Sequence, residues 1–176
     1  DTMNCCLFDV QNVLSGGFEM GNVWYNEPKS LDVAFDVIGD IVLSAASQQY
    51  GGFTVPSVDL ILEPYAEKSY HKYIEKYLRL GIDKDTAEAE AYADVVREYE
   101  QGFQGWEYKF NTVGSSRGDY PFITVTAGTG TGRFAKLATI TMLNVRRRGQ
   151  GKKDCKKPVL FPKIVFLYDE NLHGPG

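Results

Sequence analysis

The sequence is poor in sulfur and imidazole, with three cysteines, three methionines and two histidines in 176 residues. An odd, small number of cysteines excludes the disulfide framework of a small secreted domain and points to a reducing compartment, the cytoplasm. Cys5 and Cys6 are adjacent and Cys155 is far away, so the CxxC spacing of a zinc site is missing. His71 and His173 lie far apart, and no GxSxG elbow accompanies them, which leaves a hydrolytic triad without support. No apolar run approaches the roughly 18 residues of a membrane span. No basic-then-apolar stretch opens the chain, so no targeting signal is expected. Charge of one sign is also scarce. The net charge of −4 and pI near 5.2 argue against a nucleic-acid binder. There is no internal repeat and no low-complexity tract. The ends, Asp1 and His173-Gly174-Pro175-Gly176, are those expected of a piece cut from a longer chain.

What is present suffices for a globular core, with 43% hydrophobic and 13% aromatic residues. Residues 4–10 read as a buried strand, and Val10 to Gly17 as a short transition closed by a Ser-Gly-Gly turn. Gly21 to Pro28 reads as irregular, with Trp24 and Tyr25 packed down. Ser30 then caps a helix in which Leu31, Ala34, Phe35, Ile38, Ile41, Val42 and Ala45 recur at three- and four-residue spacing. Val33, Val37 and Ala46 widen that stripe, so the helix is expected between layers or in a subunit interface. Ser57 opens a second helix to about Leu80, which Pro64 should kink or divide. A third is expected from Asp85 to about Gln101, interrupted by Gly102 and Gly105. Gly114 to Gly118 reads as a loop and Tyr120 to Thr126 as a strand. A Gly-Thr-Gly-Thr-Gly loop at 128–132 leads to a helix from Phe134 to about Arg147. A basic loop covers 146–157. Val159 to Tyr168 is a nearly continuous apolar run, expected to be a strand buried on both faces. Strands alternating with helices give an α/β pattern of parallel crossovers.

Three features are candidates for chemistry. Neighbouring strand residues face opposite ways, so only one of Cys5 and Cys6 can line a site, and pattern alone favours a packing role for either. The 128–132 loop stands between strand and helix, where glycines let amides approach an anion. It lacks the Lys-Ser/Thr of a P-loop and the dinucleotide spacing, and a plain tight turn is the favoured reading. Arg146, Arg147, Arg148, Lys152, Lys153, Lys156 and Lys157 could hold phosphates, but a solvated, mobile loop is favoured.

Several short stretches then occur in order: Asn4-Cys5, Gly17-Phe18-Glu19-Met20-Gly21-Asn22, Glu27-Pro28-Lys29-Ser30, Gln49-Tyr50-Gly51-Gly52, Leu62-Glu63-Pro64-Tyr65, Lys68-Ser69-Tyr70, Glu107-Tyr108-Lys109-Phe110-Asn111-Thr112, Pro121-Phe122-Ile123-Thr124 and Phe161-Pro162-Lys163-Ile164-Val165-Phe166. Together they resemble the catalytic subunit of the anaerobic (class III) ribonucleoside-triphosphate reductase, a glycyl-radical enzyme, over nearly the whole chain. The resemblance implies the first half of a ten-stranded α/β barrel, five parallel strands with crossover helices, occupying residues 1–176. It implies that Cys5 is an active-site cysteine inside the barrel, while Cys6 packs under a helix. It also implies that the helices at about 30–80 form a dimer interface and an effector site, with Lys29 and Lys72 on effector phosphate. Asp40 and Asn26 fall near that site but depart from the family's residues, so effector identity stays open.

The chemistry so implied moves hydrogen atoms. A thiyl radical on a loop cysteine takes the 3′ hydrogen of a ribonucleoside triphosphate, water leaves C2′, and Cys5 supplies a hydrogen there. Formate is the implied reductant. ATP and deoxynucleoside triphosphates are the implied effectors. The implied partners are a second copy in a homodimer, a radical-SAM activating enzyme and the remainder of the catalytic subunit. No membrane or nucleic acid is implied. The segment holds no RxCGY-like radical motif, second loop cysteine, four-cysteine zinc site or ATP-cone, so alone it is expected to be inactive. The rivals are a non-catalytic nucleotide-binding or dimerisation module derived from that enzyme, and another glycyl-radical enzyme sharing the half-barrel.

Overall fold

The computed structural model describes residues 6–7, 9–20, 22–47, 52–112 and 122–174. The chain opens on β1 (Cys6–Leu7), and Val10 already belongs to α1 (Val10–Ser15) rather than to a strand extending to residue 10. Asp9 is the cause. Its side chain accepts the amide of Asn12 at 3.2 Å, an N-cap that turns the β-branched Val10 into the first helical residue. The expected transition is therefore this helix. Its end is turned by Gly17 (φ 75°), where a Cβ would lie 2.7 Å from the carbonyl of Tyr25.

The stretch expected to be irregular forms half of a hairpin, β2 (Phe18–Met20) with β3 (Val23–Tyr25). Phe18 stacks on Tyr25 across it at 5.1 Å. Strand alternation turns Trp24 outward, 61% exposed, with its Nε1 donating to Asn26 Oδ1 at 3.1 Å. Next come α2 (Leu31–Ser47), β4 (Phe53–Val55), α3 (Val58–Arg79) and α4 (Lys84–Thr112). α3 runs undivided through Pro64, which sits on its exposed side, where one missing amide matters least. α4 is 29 residues long and unbroken at Gly102 and Gly105, against expectation. Helix there is enforced by packing. Phe35 of α2 lies against Gly102, where any Cβ would collide with its ring.

The chain closes with β5 (Ile123–Ala127), α5 (Arg133–Arg148), β6 (Gln150–Lys152), β7 (Cys155–Lys157), β8 (Lys163–Phe166) and α6 (Glu170–His173). The basic loop is thus an ordered antiparallel hairpin pairing Gln150 with Lys157 and Lys152 with Cys155. The last apolar run yields only four strand residues. It is an edge strand, and Val165 and Phe166 are exposed instead of buried on both faces. The expected loop at 114–118 and the first residues of the strand expected from Tyr120 lie outside the described residues.

β1, β4, β5 and β8 form one parallel sheet in that order, so the α/β class with helical crossovers holds, with four parallel strands among the described residues. Phe53, Val55, Ile123, Val125 and Ala127 are buried, and Thr54, Thr124 and Thr126 alternate with them, half-buried. α2 and α3 pack on β4 and β5, and α4 packs on α2, α3 and α5. At the centre Phe35 meets Tyr99, Phe103 and Trp106 edge to face, 4.8 to 6.1 Å between ring centres. Trp106 Nε1 donates to the carbonyl of Phe35 at 2.8 Å, leaving that buried indole satisfied.

Candidate functional site

Parallel sheets place ligands beyond the carboxyl ends of their strands, where the loops gather. Here Asp9 follows β1, Pro56 and Ser57 follow β4, and Gly128 to Gly132 follow β5. A cleft of about 370 Å³ opens at the first two of these ends, walled by Asp9, Gln11, Pro56, Ser57 and Leu60. Cys5 itself lies outside the described residues. Its neighbour does not: Cys6 stands in register with Phe53, and Leu7 with Thr54.

The glycine loop is held by protein groups. Asp59, in the first turn of α3, is wholly buried and accepts the amides of Gly128 (3.1 Å) and Gly130 (2.9 Å) on one oxygen, Oδ2. Its other oxygen, Oδ1, has no partner among the described residues. Two residues earlier, the amide of Ser57 donates to Thr126 Oγ1 at 2.8 Å. From the far side His173 reaches the carbonyl of Gly128, 2.8 Å from Nε2. Its Nδ1 accepts the amide of Asp169 at 2.9 Å, and that network assigns the ring proton to Nε2. Glu63, one turn beyond Asp59, abuts Gly132 at the start of α5 so closely that a Cβ there would strike its carboxylate. Burial, then the charges of Glu67 and Asp59, raise the Glu63 carboxyl above its ordinary value. Two carboxylates thus occupy the positive end of α5 and the loop amides, so the loop is a turn closed on the protein's own anions.

The sequence reading did not single out Asp59 or Glu63. Their signal is the run Asp59, Glu63, Glu67 at four-residue spacing, one acidic stripe on a helix that elsewhere carries tyrosines and lysines.

Lys29 and Lys72 are both exposed. They flank one junction: Ser69 Oγ accepts the amide of Leu31 at 2.8 Å, and Lys68 bonds Glu27 (3.2 Å) and the carbonyl of Pro28 (3.4 Å). The start of α2 is thereby fastened to α3 between the two lysines. Asp40 pairs with Lys109 at 3.1 Å. A second cleft, about 200 Å³, lies between α2 and α4. Asp32, Asp36 and Glu98 make it acidic over a floor of Phe35 and Trp106. In the basic cluster, Arg146 pairs with Glu107 at 3.0 Å and Arg148 with Glu100 at 3.3 Å, while Lys152, Lys153, Lys156 and Lys157 have no ionic partner among the described residues. His71 and His173 lie on separate elements.

A parallel sheet with its loops gathered beside a cysteine-bearing strand marks the class: a segment of an α/β enzyme domain. The profile of one family, anaerobic ribonucleoside-triphosphate reductase, matches residues 1–174, and the chain belongs to that family. It is 38% identical over 172 residues to the anaerobic ribonucleoside-triphosphate reductase of Enterobacteria phage T4, covering 97% of this chain and 27% of that protein. Against the reductase of Haemophilus influenzae the identity is 39%, with 97% and 24% covered. The chain therefore spans about a quarter of the length of these relatives. Among solved structures, the anaerobic ribonucleotide reductase from Thermotoga maritima in complex with dATP and CTP superposes with a TM-score of 0.52 over 81% of this chain and 24% of that one. At 14% identity this is a likeness of fold alone.

Proposed function

We propose that this segment works within an anaerobic reductase that converts ribonucleoside triphosphates to deoxyribonucleotides, and that it contributes Cys5 and the helices of an effector site. The observation that carries the reading is the register of β1. Cys6 pairs with Phe53, a core residue under the helices, so strand alternation assigns the preceding position to the opposite, threonine-lined face. Cys5 on that face acts as a hydrogen-atom donor. An S–H bond is close enough in strength to a ribose C–H bond for hydrogen to pass between sulfur and carbon. Cys5 delivers it to the carbon from which water has left, and formate completes the reduction. The glycyl radical that initiates the reaction belongs to another part of the complete enzyme and is installed by a radical-SAM activase. The parallel order of the sheet and its exposed β8 edge fit the first half of a ten-stranded barrel.

The test is Cys5→Ser in the complete enzyme. Turnover is lost while nucleotide binding persists, and retained turnover refutes the assignment. The junction of α2 and α3 is proposed as the effector site of a homodimer, with Lys29 and Lys72 touching phosphate as point charges. Calorimetry with dATP or dTTP checks it: replacing both lysines by alanine weakens binding at least about tenfold, near 1.4 kcal/mol. An unchanged affinity removes these residues from the site. No helix among the described residues is long and apolar enough to cross a membrane, and a cytoplasmic location is proposed on the cysteine content.

A further inference from the structure

We propose that Asp59 is a positioning residue for the reaction assigned above, on which this inference rests. It fixes the Gly128–Gly132 loop so that the loop forms one wall of the substrate site. The argument begins with an expense. A fully buried carboxylate with one oxygen unpartnered is unfavourable unless its remaining bonds are strong. Those bonds are two charge-assisted ones on Oδ2, from amides two residues apart in the same loop. A carboxylate bonded in this way sets the path of the peptides between them.

The glycines are explained by the same clamp. A Cβ at Gly130 would lie 2.9 Å from Asp59 Oδ2, and one at Gly128 (φ 125°) would lie 2.8 Å from the carbonyl of Leu167. The loop is pressed against Asp59 on one side and the β8–α6 connection on the other, and neither contact leaves space for a side chain. Such a loop keeps one conformation.

The location links the clamp to substrate. Asp59 lies between Ser57 and Leu60, which wall the cleft at the carboxyl ends of β1 and β4. The loop it holds follows β5, the next strand of the sheet. One helical turn therefore shapes that cleft on its outer side and sets the adjacent wall through Asp59. Asp59 does this as an acceptor, and its charge is not needed at the substrate. Loss of the clamp loosens a binding surface without removing a reacting group, so the effect falls on KM more than on kcat.

The experiment compares Asp59→Asn and Asp59→Ala in the complete enzyme. Two readouts are taken: amide hydrogen exchange at Gly128 and Gly130, and KM and kcat for a ribonucleoside triphosphate. Asparagine keeps one acceptor oxygen for both amides, so exchange and KM stay close to the wild type. In the alanine variant both amides exchange at least about 100-fold faster and KM rises about tenfold or more, with kcat changed less than about threefold. If alanine does not accumulate folded, Asp59→Ser, with a hydroxyl too short to span both amides, is read in its place with the same expectation. Equal impairment by asparagine and alanine overturns the proposal. So does unchanged exchange at the two glycines, or faster exchange with unchanged KM. A wild-type enzyme that does not turn over ribonucleoside triphosphates refutes the assigned reaction instead, and the exchange data still judge the clamp.

Discussion

Arg146 leaves the last turn of α5 with its guanidinium among acceptors. Nε meets Glu107 Oε1 at 3.0 Å, Nη1 the carbonyl of Val159 at 2.9 Å, and Nη2 the carbonyl of Pro162. The Glu107 side chain is 4% exposed, so removing the guanidinium strands a buried charge and three groups at once. Arg146→Ala is expected to destabilise by about 3–5 kcal/mol, lowering the melting temperature by roughly 10 °C. Arg146→Lys recovers little, because an ammonium cannot fork to the same acceptors. In the sequence this arginine is one of seven cations in a basic run, and nothing local distinguishes it from the solvated lysines beyond it. The distinction is made by Glu107, thirty-nine positions away. Glu98 gives a residue-scale prediction about pH. Burial raises its carboxyl above the ordinary 4.5, outweighing the hydrogen bonds from Tyr73 and Ser69 and the charge of Lys72. The folded chain therefore holds that proton more tightly than the unfolded chain. The stability linked to it is present at low pH and falls as pH rises from 4.5 through the higher folded value. Glu98→Gln keeps an acceptor for the Tyr73 hydroxyl, which now bonds Oε1 at 2.8 Å. Melting temperatures from pH 4 to 8 should show the variant gaining on the wild type toward the alkaline end. A parallel pair of curves contradicts the account.

At the scale of elements, α4 shows where local reading ends. α2 and α5 are legible because apolar residues recur at helical spacing and glycine follows the last turn of α5. α4 contains Gly102 and Gly105, which read as breaks because glycine is among the weakest helix formers. The reason for Gly102 is on another helix, where the Phe35 ring fills the space of its missing side chain. Gly102→Ala improves local propensity and should still destabilise, by about 1–3 kcal/mol, since the ring must move within an aromatic cluster. Chemical denaturation decides it; a stabilised variant means that Phe35 has room to shift. The loop after β5 is a similar case. Its glycines suggest an anion from a ligand, and the sequence does not reveal that the anions are Asp59 and Glu63, because their approach depends on how α3 crosses β5.

For the whole molecule, the parallel α/β class follows from the alternation of strands and helices, but burial does not follow from hydrophobicity alone. The run through Phe161 to Tyr168 is apolar enough for a strand covered on both faces, yet Leu160 is 76% exposed, Tyr168 62% and Phe166 44%. Neighbouring Ile140, Leu143 and Leu172 are also exposed. An unpaired parallel edge beside that much apolar surface promotes association. The isolated 176 residues should sediment as concentration-dependent oligomers. A monomer at all concentrations indicates that the edge is protected in solution.

The strand order β1-β4-β5-β8 is also chain order, since the two hairpins stand apart from the sheet. Each new strand lands on the flank left by the one before it. As the polypeptide leaves a ribosome, every strand finds its neighbour already in place and never has to insert between two paired ones. The sheet can therefore assemble in the direction of synthesis, with β8 as the most recently laid edge. Its unfinished hydrogen-bonding groups mark how far assembly has proceeded.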